Sequence, residues 1–227
     1  MALVMVGDIK PEKAVLLMDK YVEKTSSEGL QRFSPEEPKT RKTEYTEQHL
    51  SVSMPLFMIG FKETEDFKDG DELLRRELMT ELLLDIYFGQ SSSFYMSLYE
   101  KGLINASFSK ETELEKAYGF SSLSGESKNP EEVYELVKNY IDDISKKDIS
   151  DEDLNRAKKV LIGKNLKKFN SVENIGNSFI KSFLNGQNPL INNEIIESIT
   201  KDELKHRLTR HFDTKNSVLS VILPVEE

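Results

Sequence analysis

Apolar and polar positions along the chain alternate between two periods, and the switches between them mark the elements. Ala2 to Val6 is a short apolar run closed by Gly7-Asp8, the pattern of a buried strand. Pro11 opens a helix with Ala14, Leu17, Met18 and Tyr21 on one face. Residues 25–46 are polar with two Pro-containing acidic turns, the composition of a linker. His49 to Phe61 reads as a strand, and Pro55 within it predicts an edge or a bulge, because proline cannot donate to a ladder. Asp69-Gly70 turns into a helix over about Glu72 to Phe88, apolar nearly all round and so expected to be buried.

Phe88 to Ser109, FGQSSSFYMSLYEKGLINASFS, carries the densest signals. Gly89 ends the apolar helix, the serine run caps a second helix from about Phe94, and Gly102 stops it. Antiparallel strands are predicted over Leu103 to Lys110 and Ala117 to Gly125. Asn129-Pro130 caps a helix whose stripe is Val133, Leu136, Val137, Tyr140, Ile141 and Ile144. Ser150 and Asp153 have capping-box spacing ahead of a helix that turns Leu154, Ala157 and Leu161 inward. Helices follow over about Val172 to Leu184, Asn193 to Ile199 and Lys201 to Phe212, then a last strand, Ser217 to Pro224. The order predicts an α+β fold, an antiparallel sheet covered by helices.

Composition narrows the function. Among 227 residues, a net charge of −9 with no basic cluster argues against nucleic acid. The chain has no cysteine, which excludes disulfides and thiolate chemistry and suits a reducing cytoplasm, the expected compartment. No apolar run approaches the ~20 residues that span a bilayer, so no membrane partner is expected.

Four motifs resemble, in order, the C-terminal half of the insulinase/pitrilysin-type zinc metallopeptidases, the inverzincins, and their bacterial members similar to mitochondrial processing peptidase. They are the L-V-x-V-G-D strand with its helix (Leu3 to Asp8, Pro11 to Lys24), the strand Pro55 to Phe61, the R-E-K-G-L-A-Y-like segment within Ser92 to Asn105, and the S-x-x-E-L-x-R-A-K-like helix start at Ser150, Asp153, Leu154, Arg156, Ala157 and Lys158. The resemblance implies that residues 1–24 are the closing strand and helix of a truncated preceding domain, 25–46 a linker, and 47–227 a non-catalytic C-terminal peptidase-like domain. ALVMVGD near the start and SVLSVILP at the end would then be equivalent strands. An orphaned first strand would need cover from this domain or from a second copy, so a homodimer is a further expectation.

Active members of that family place an Arg and a Tyr of the R-E-K-G-L-A-Y segment against the substrate backbone; here those positions are Tyr99 and Asn105, while Glu100, Lys101, Gly102 and Leu103 match. The resemblance therefore assigns Tyr99, Glu100, Lys101 and Asn105 to substrate binding. Tyr95, Met96 and Tyr99 either line a groove or pack the helix onto the sheet.

No catalytic or metal residue is assigned. The family's zinc motif, H-x-x-E-H, is absent, and the three histidines are His49, His206 and His211. Two of them sit five apart on a helix, roughly 140° around its axis, and read as partly exposed helix histidines rather than ligands. The serine run lacks a G-x-S-x-G or a Walker lysine, and the acidic runs lack a calcium-loop pattern. The reading is a non-catalytic portion of a zinc metalloendopeptidase, completing a chamber around a peptide substrate. A catalytic N-terminal half or paired subunit would hold the Zn²⁺, and this chain alone would be inactive. The alternative is a pseudo-peptidase acting as a binding or assembly subunit.

Overall fold

A computed structural model describes residues 2–22, 31, 38–67 and 69–225. Among these residues five strands form one sheet: β1 (Tyr45–Leu50), β2 (Leu56–Lys62), β3 (Ser109–Leu114), β4 (Gly119–Glu126) and β5 (Val218–Pro224), in the order β1-β5-β2-β4-β3. β2 pairs antiparallel with both β4 and β5, and β3 with β4; β1 and β5 are parallel. The single strand expected over His49 to Phe61 is two strands, because residues 51–55 turn the chain between sheet positions that are not adjacent. Pro55 stands just ahead of β2, where its missing N–H costs no ladder bond and its carbonyl still accepts from Ser127 N at 3.1 Å.

The α-helices among the described residues are α1 (Pro11–Tyr21), α2 (Gly70–Phe88), α3 (Ser93–Glu100), α4 (Pro130–Ile144), α5 (Asp151–Lys168), α6 (Val172–Asn185), α7 (Asn192–Ser198) and α8 (Lys201–His211), with 3-10 turns at Pro189–Ile191 and Thr214–Asn216. Their starts follow sequence chemistry. Asp69, Ser92, Ser150 and Ser171 each accept a backbone N–H through the side chain, and Thr200 with Glu203 forms a full capping box. Two expected caps differ. The Asn129 side chain accepts no backbone N–H and instead donates to Glu132, and the Asp153 carboxylate accepts from the Ser150 hydroxyl rather than from its backbone N–H.

Residues 2–6 form no strand; Val6 lies beside α6, 3.8 Å from where a β-carbon on Gly176 would stand. Ala2 to Val6 has the strand pattern without a ladder partner among the described residues. None of the α1 side chains is buried. Of the expected linker, residues 25–30 and 32–37 lie outside the described residues, and Tyr45 and Thr46 already belong to β1.

One core holds the domain together. Phe57, Ile59 and Phe61 of β2, Leu123 of β4, and Leu219 and Val221 of β5 share a sheet face with buried residues of α2, α3, α4, α5 and α8. Tyr140 of α4 stacks on Phe94 of α3 at 4.1 Å and 7°, with Phe88 edge-on to both. Each fully buried Leu or Phe contributes about 1.5–3 kcal/mol. The helix α2 is not apolar all round: Leu78, Leu82 and Phe88 face the core, whereas Glu77, Glu81 and Asp85 form a polar stripe at i, i+4 and i+8.

Candidate functional site

The segment from Gly89 to Ser109 is built as a rigid corner. A β-carbon on Gly89 would stand 2.4 Å from the Asp85 carbonyl, so only glycine lets the chain leave α2 there. Ser92 Oγ accepts Tyr95 N at 3.1 Å and starts α3. Gly102, at φ +68°, ends it in a left-handed turn, with Gly102 N donating to Tyr99 O and Leu103 N to Leu98 O, both at 3.0 Å. The chain then does not enter a strand at Leu103. Asn105 Oδ1 accepts Ser107 N at 2.8 Å and its Nδ2 donates to Glu126 Oε2 at 2.7 Å. That side-chain turn holds a loop until β3 begins at Ser109.

Tyr99, Glu100, Lys101 and Asn105 therefore border one loop in different ways. The Tyr99 ring is half exposed and stacks on buried Tyr95 at 6.0 Å and 14°; Tyr95 meets Phe108 edge-on, which reaches Phe57 of the sheet. Glu100 and Lys101 are exposed and, among the described residues, form no ion pair within 4.0 Å. Asn105 is part-buried, and its amide is occupied in holding the loop to β4. Tyr95 packs, while Met96 and Tyr99 stay open to solvent.

Next to this corner, the sheet face opposite the core carries Met58, Ser124 and Ser220 in cross-strand register. Met58 keeps 45% of its surface exposed, although its neighbours Phe57 and Ile59 are buried. The face is small-residued and uncharged at its centre.

Two polar groups on the core side went unnoticed in the sequence. One is a cleft of about 490 Å³ between α2, α5 and α6, walled by Glu77, Glu81, Asn165, Lys168, Lys181 and Gln187. Loss of water pushes the Glu77 carboxyl up to about 7, with Glu81 and Glu113 adding repulsion and Lys181 opposing it. Burial raises Glu81 as well. The E-x-x-x-E-x-x-x-D spacing on α2 was the available signal.

The other group is buried between α8, α2 and the sheet. Arg207 Nη2 lies 2.6 Å from Glu63 Oε2, and Arg207 Nε donates to Thr80 Oγ1 at 3.0 Å. His211 Nε2 is 2.7 Å from Ser121 Oγ. His211 is thus buried, not partly exposed, and burial with nearby Arg207 holds its imidazole well below the usual value, so it is neutral. His206 is exposed, as expected for its side of the helix. Among the described residues no three His, Cys, Asp or Glu side chains are grouped to hold a metal ion. The donor set here does not fit zinc.

The fold is thus a mixed helix-and-sheet domain whose sheet is backed by helices on one side and open on the other. The family model "Peptidase M16 inactive domain" matches residues 1–161, and the chain belongs to that family. It is 28% identical over 227 residues to the uncharacterized zinc protease YmfH of Bacillus subtilis, covering 99% of this chain and 53% of that protein. An M16-like peptidase from Alicyclobacillus acidocaldarius superposes with a TM-score of 0.85 at 25% identity, over 94% of this chain and 52% of the other. The inactive peptidase domain of a zinc protease from Bordetella parapertussis shares the fold, with a TM-score of 0.66 at 13% identity over 79% and 96% of the two chains. The chain spans about half the length of the curated relative it matches.

Proposed function

We propose that this inactive domain forms one wall of a peptide-holding chamber whose zinc-bearing half, on the same polypeptide or a paired subunit, carries H-x-x-E-H. In that half the zinc would activate the attacking water. The open, uncharged sheet face around Met58 carries this reading, since every core-forming helix stacks on the other side. An extended peptide lying there meets apolar and hydroxyl side chains of no strong sequence preference.

In this proposal Tyr99 is the contact residue. Its stacked partner Tyr95 fixes the ring, so an aromatic surface is offered with little ordering cost. Glu100 and Lys101 supply opposite charges at the rim, and Asn105 acts indirectly by fixing the loop against Glu126. The test is steady-state kinetics of the assembled protease on a quenched fluorescent peptide. Tyr99→Ala is expected to raise KM about tenfold, the loss of about 1.4 kcal/mol, with kcat retained. An unchanged KM would remove Tyr99 from the peptide path.

A further inference from the structure

We propose that the cleft between α2, α5 and α6 binds a short zwitterionic peptide, its ammonium end at Glu81 and its carboxylate end at Lys168. The cleft lies on the helical side of the domain, away from the open sheet face, so the inference does not rest on the chamber reading.

The first ground is hydrogen-bonding capacity left unused. Asn165, only 5% exposed, lines the cleft with a buried Nδ2 that has no partner among the described residues. Gln187 Nε2 and Asn192 Oδ1, in the same wall, are also buried and unpartnered. A buried donor or acceptor left unpaired costs about 1–3 kcal/mol. Two donors and one acceptor on residues that line the cleft suit a ligand bearing both carbonyls and N–H groups. A peptide backbone supplies both.

The second ground is charge. Lys181 is already engaged, lying 3.3 Å from Glu113, 3.7 Å from Glu115 and 3.8 Å from Glu77. Glu81 and Lys168 both line the cleft and form no ion pair within 4.0 Å among the described residues. One ligand with an ammonium and a carboxylate would satisfy both. Other ligand classes fit less well. No aromatic side chain lines the cleft, and its apolar floor is Leu74 and Leu78, so a nucleobase would have nothing to stack on. A phosphate would face Glu77 and Glu81. At about 490 Å³ the cleft is within the range of small-molecule sites.

The experiment is an amide-resolved NMR titration of the ¹⁵N-labelled chain with trialanine at neutral pH. The side-chain amide signals of Asn165, Gln187 and Asn192 are expected to shift and saturate together. N-acetyl-trialanine amide should bind about tenfold more weakly or worse, because each charge-assisted hydrogen bond is worth about 1.5–3 kcal/mol. Lys168→Ala, at an exposed position, should weaken trialanine about tenfold, and Glu81→Gln should weaken it similarly. Absence of shifts at high millimolar trialanine would overturn the proposal. So would equal binding of the blocked peptide, or parental affinity in Lys168→Ala.

Discussion

Replacing Glu77 by Gln should stabilise the domain in mildly alkaline buffer, and the gain should fade as the pH is lowered. The Glu77 carboxyl is raised from 4.5 to about 7, first by loss of water and then by the charges of Glu81 and Glu113. A folded-state value above the unfolded one means that the folded protein holds the proton more tightly. Between those two values folding takes up a proton, so stability falls as pH rises. Above about 7 the penalty levels off at about 3 kcal/mol, at about 1.4 kcal/mol per pH unit between the two values. Glutamine keeps the shape and stays neutral. The Lys181 contact at 3.8 Å that is lost needs no separate deduction, because its attraction is already contained in the value of about 7, and that lysine retains Glu113 and Glu115. The gain expected at pH ~8 is about 3 kcal/mol, shrinking below about 1 kcal/mol near pH ~5. Urea unfolding followed by circular dichroism at several pH values measures it. A loss of stability at the higher pH, or a gain independent of pH, would refute the reasoning.

Two other positions give sharp expectations. His211 is held neutral, its folded value below the unfolded one; its contribution is therefore complete above about 6.5 and is lost as pH falls, by up to about 1.4 kcal/mol per unit. His211→Gln should flatten that component, read as the difference in pH slope between variant and parent, because Glu77 contributes a slope of the opposite sign in the same window. Gly102→Ala meets no atom within 4 Å, so its cost is backbone strain alone at φ +68°, about 1–2 kcal/mol in urea unfolding, with the secondary-structure signal intact.

Local signals were readable in the sequence, and signals that need a distant partner were not. The α4 stripe, the Ser92 cap and the Gly102 stop depend on neighbours within a turn or two, and each stands where the pattern put it. The division of His49 to Phe61 into β1 and β2 depends on β5, which inserts between them from the far end of the chain. Leu103 to Phe108 has strand-like residues, but the Asn105 side chain turns the backbone first. Ala2 to Val6 shows the limit of the same argument, since alternation cannot supply a ladder partner. For the candidate site, the segment around Tyr99 was picked out by resemblance alone. The cleft was not, because a helix rich in leucine hid the E-x-x-x-E-x-x-x-D stripe, and its opposing lysines and amides come from α5, α6 and beyond. Nor did the spacing of His206 and His211 reveal that Ser121, on a strand, receives one of them.

The claim that this domain is the non-catalytic partner in peptide hydrolysis is tested most directly by reconstitution. The chain is mixed with, or joined to, a zinc-bearing H-x-x-E-H half, and hydrolysis of a quenched fluorescent peptide is followed for each part and for the combination. Chelator-sensitive turnover is expected from the combination, with neither part active alone. Turnover by this chain alone, or a zinc-bearing half whose activity is indifferent to it, would contradict the account.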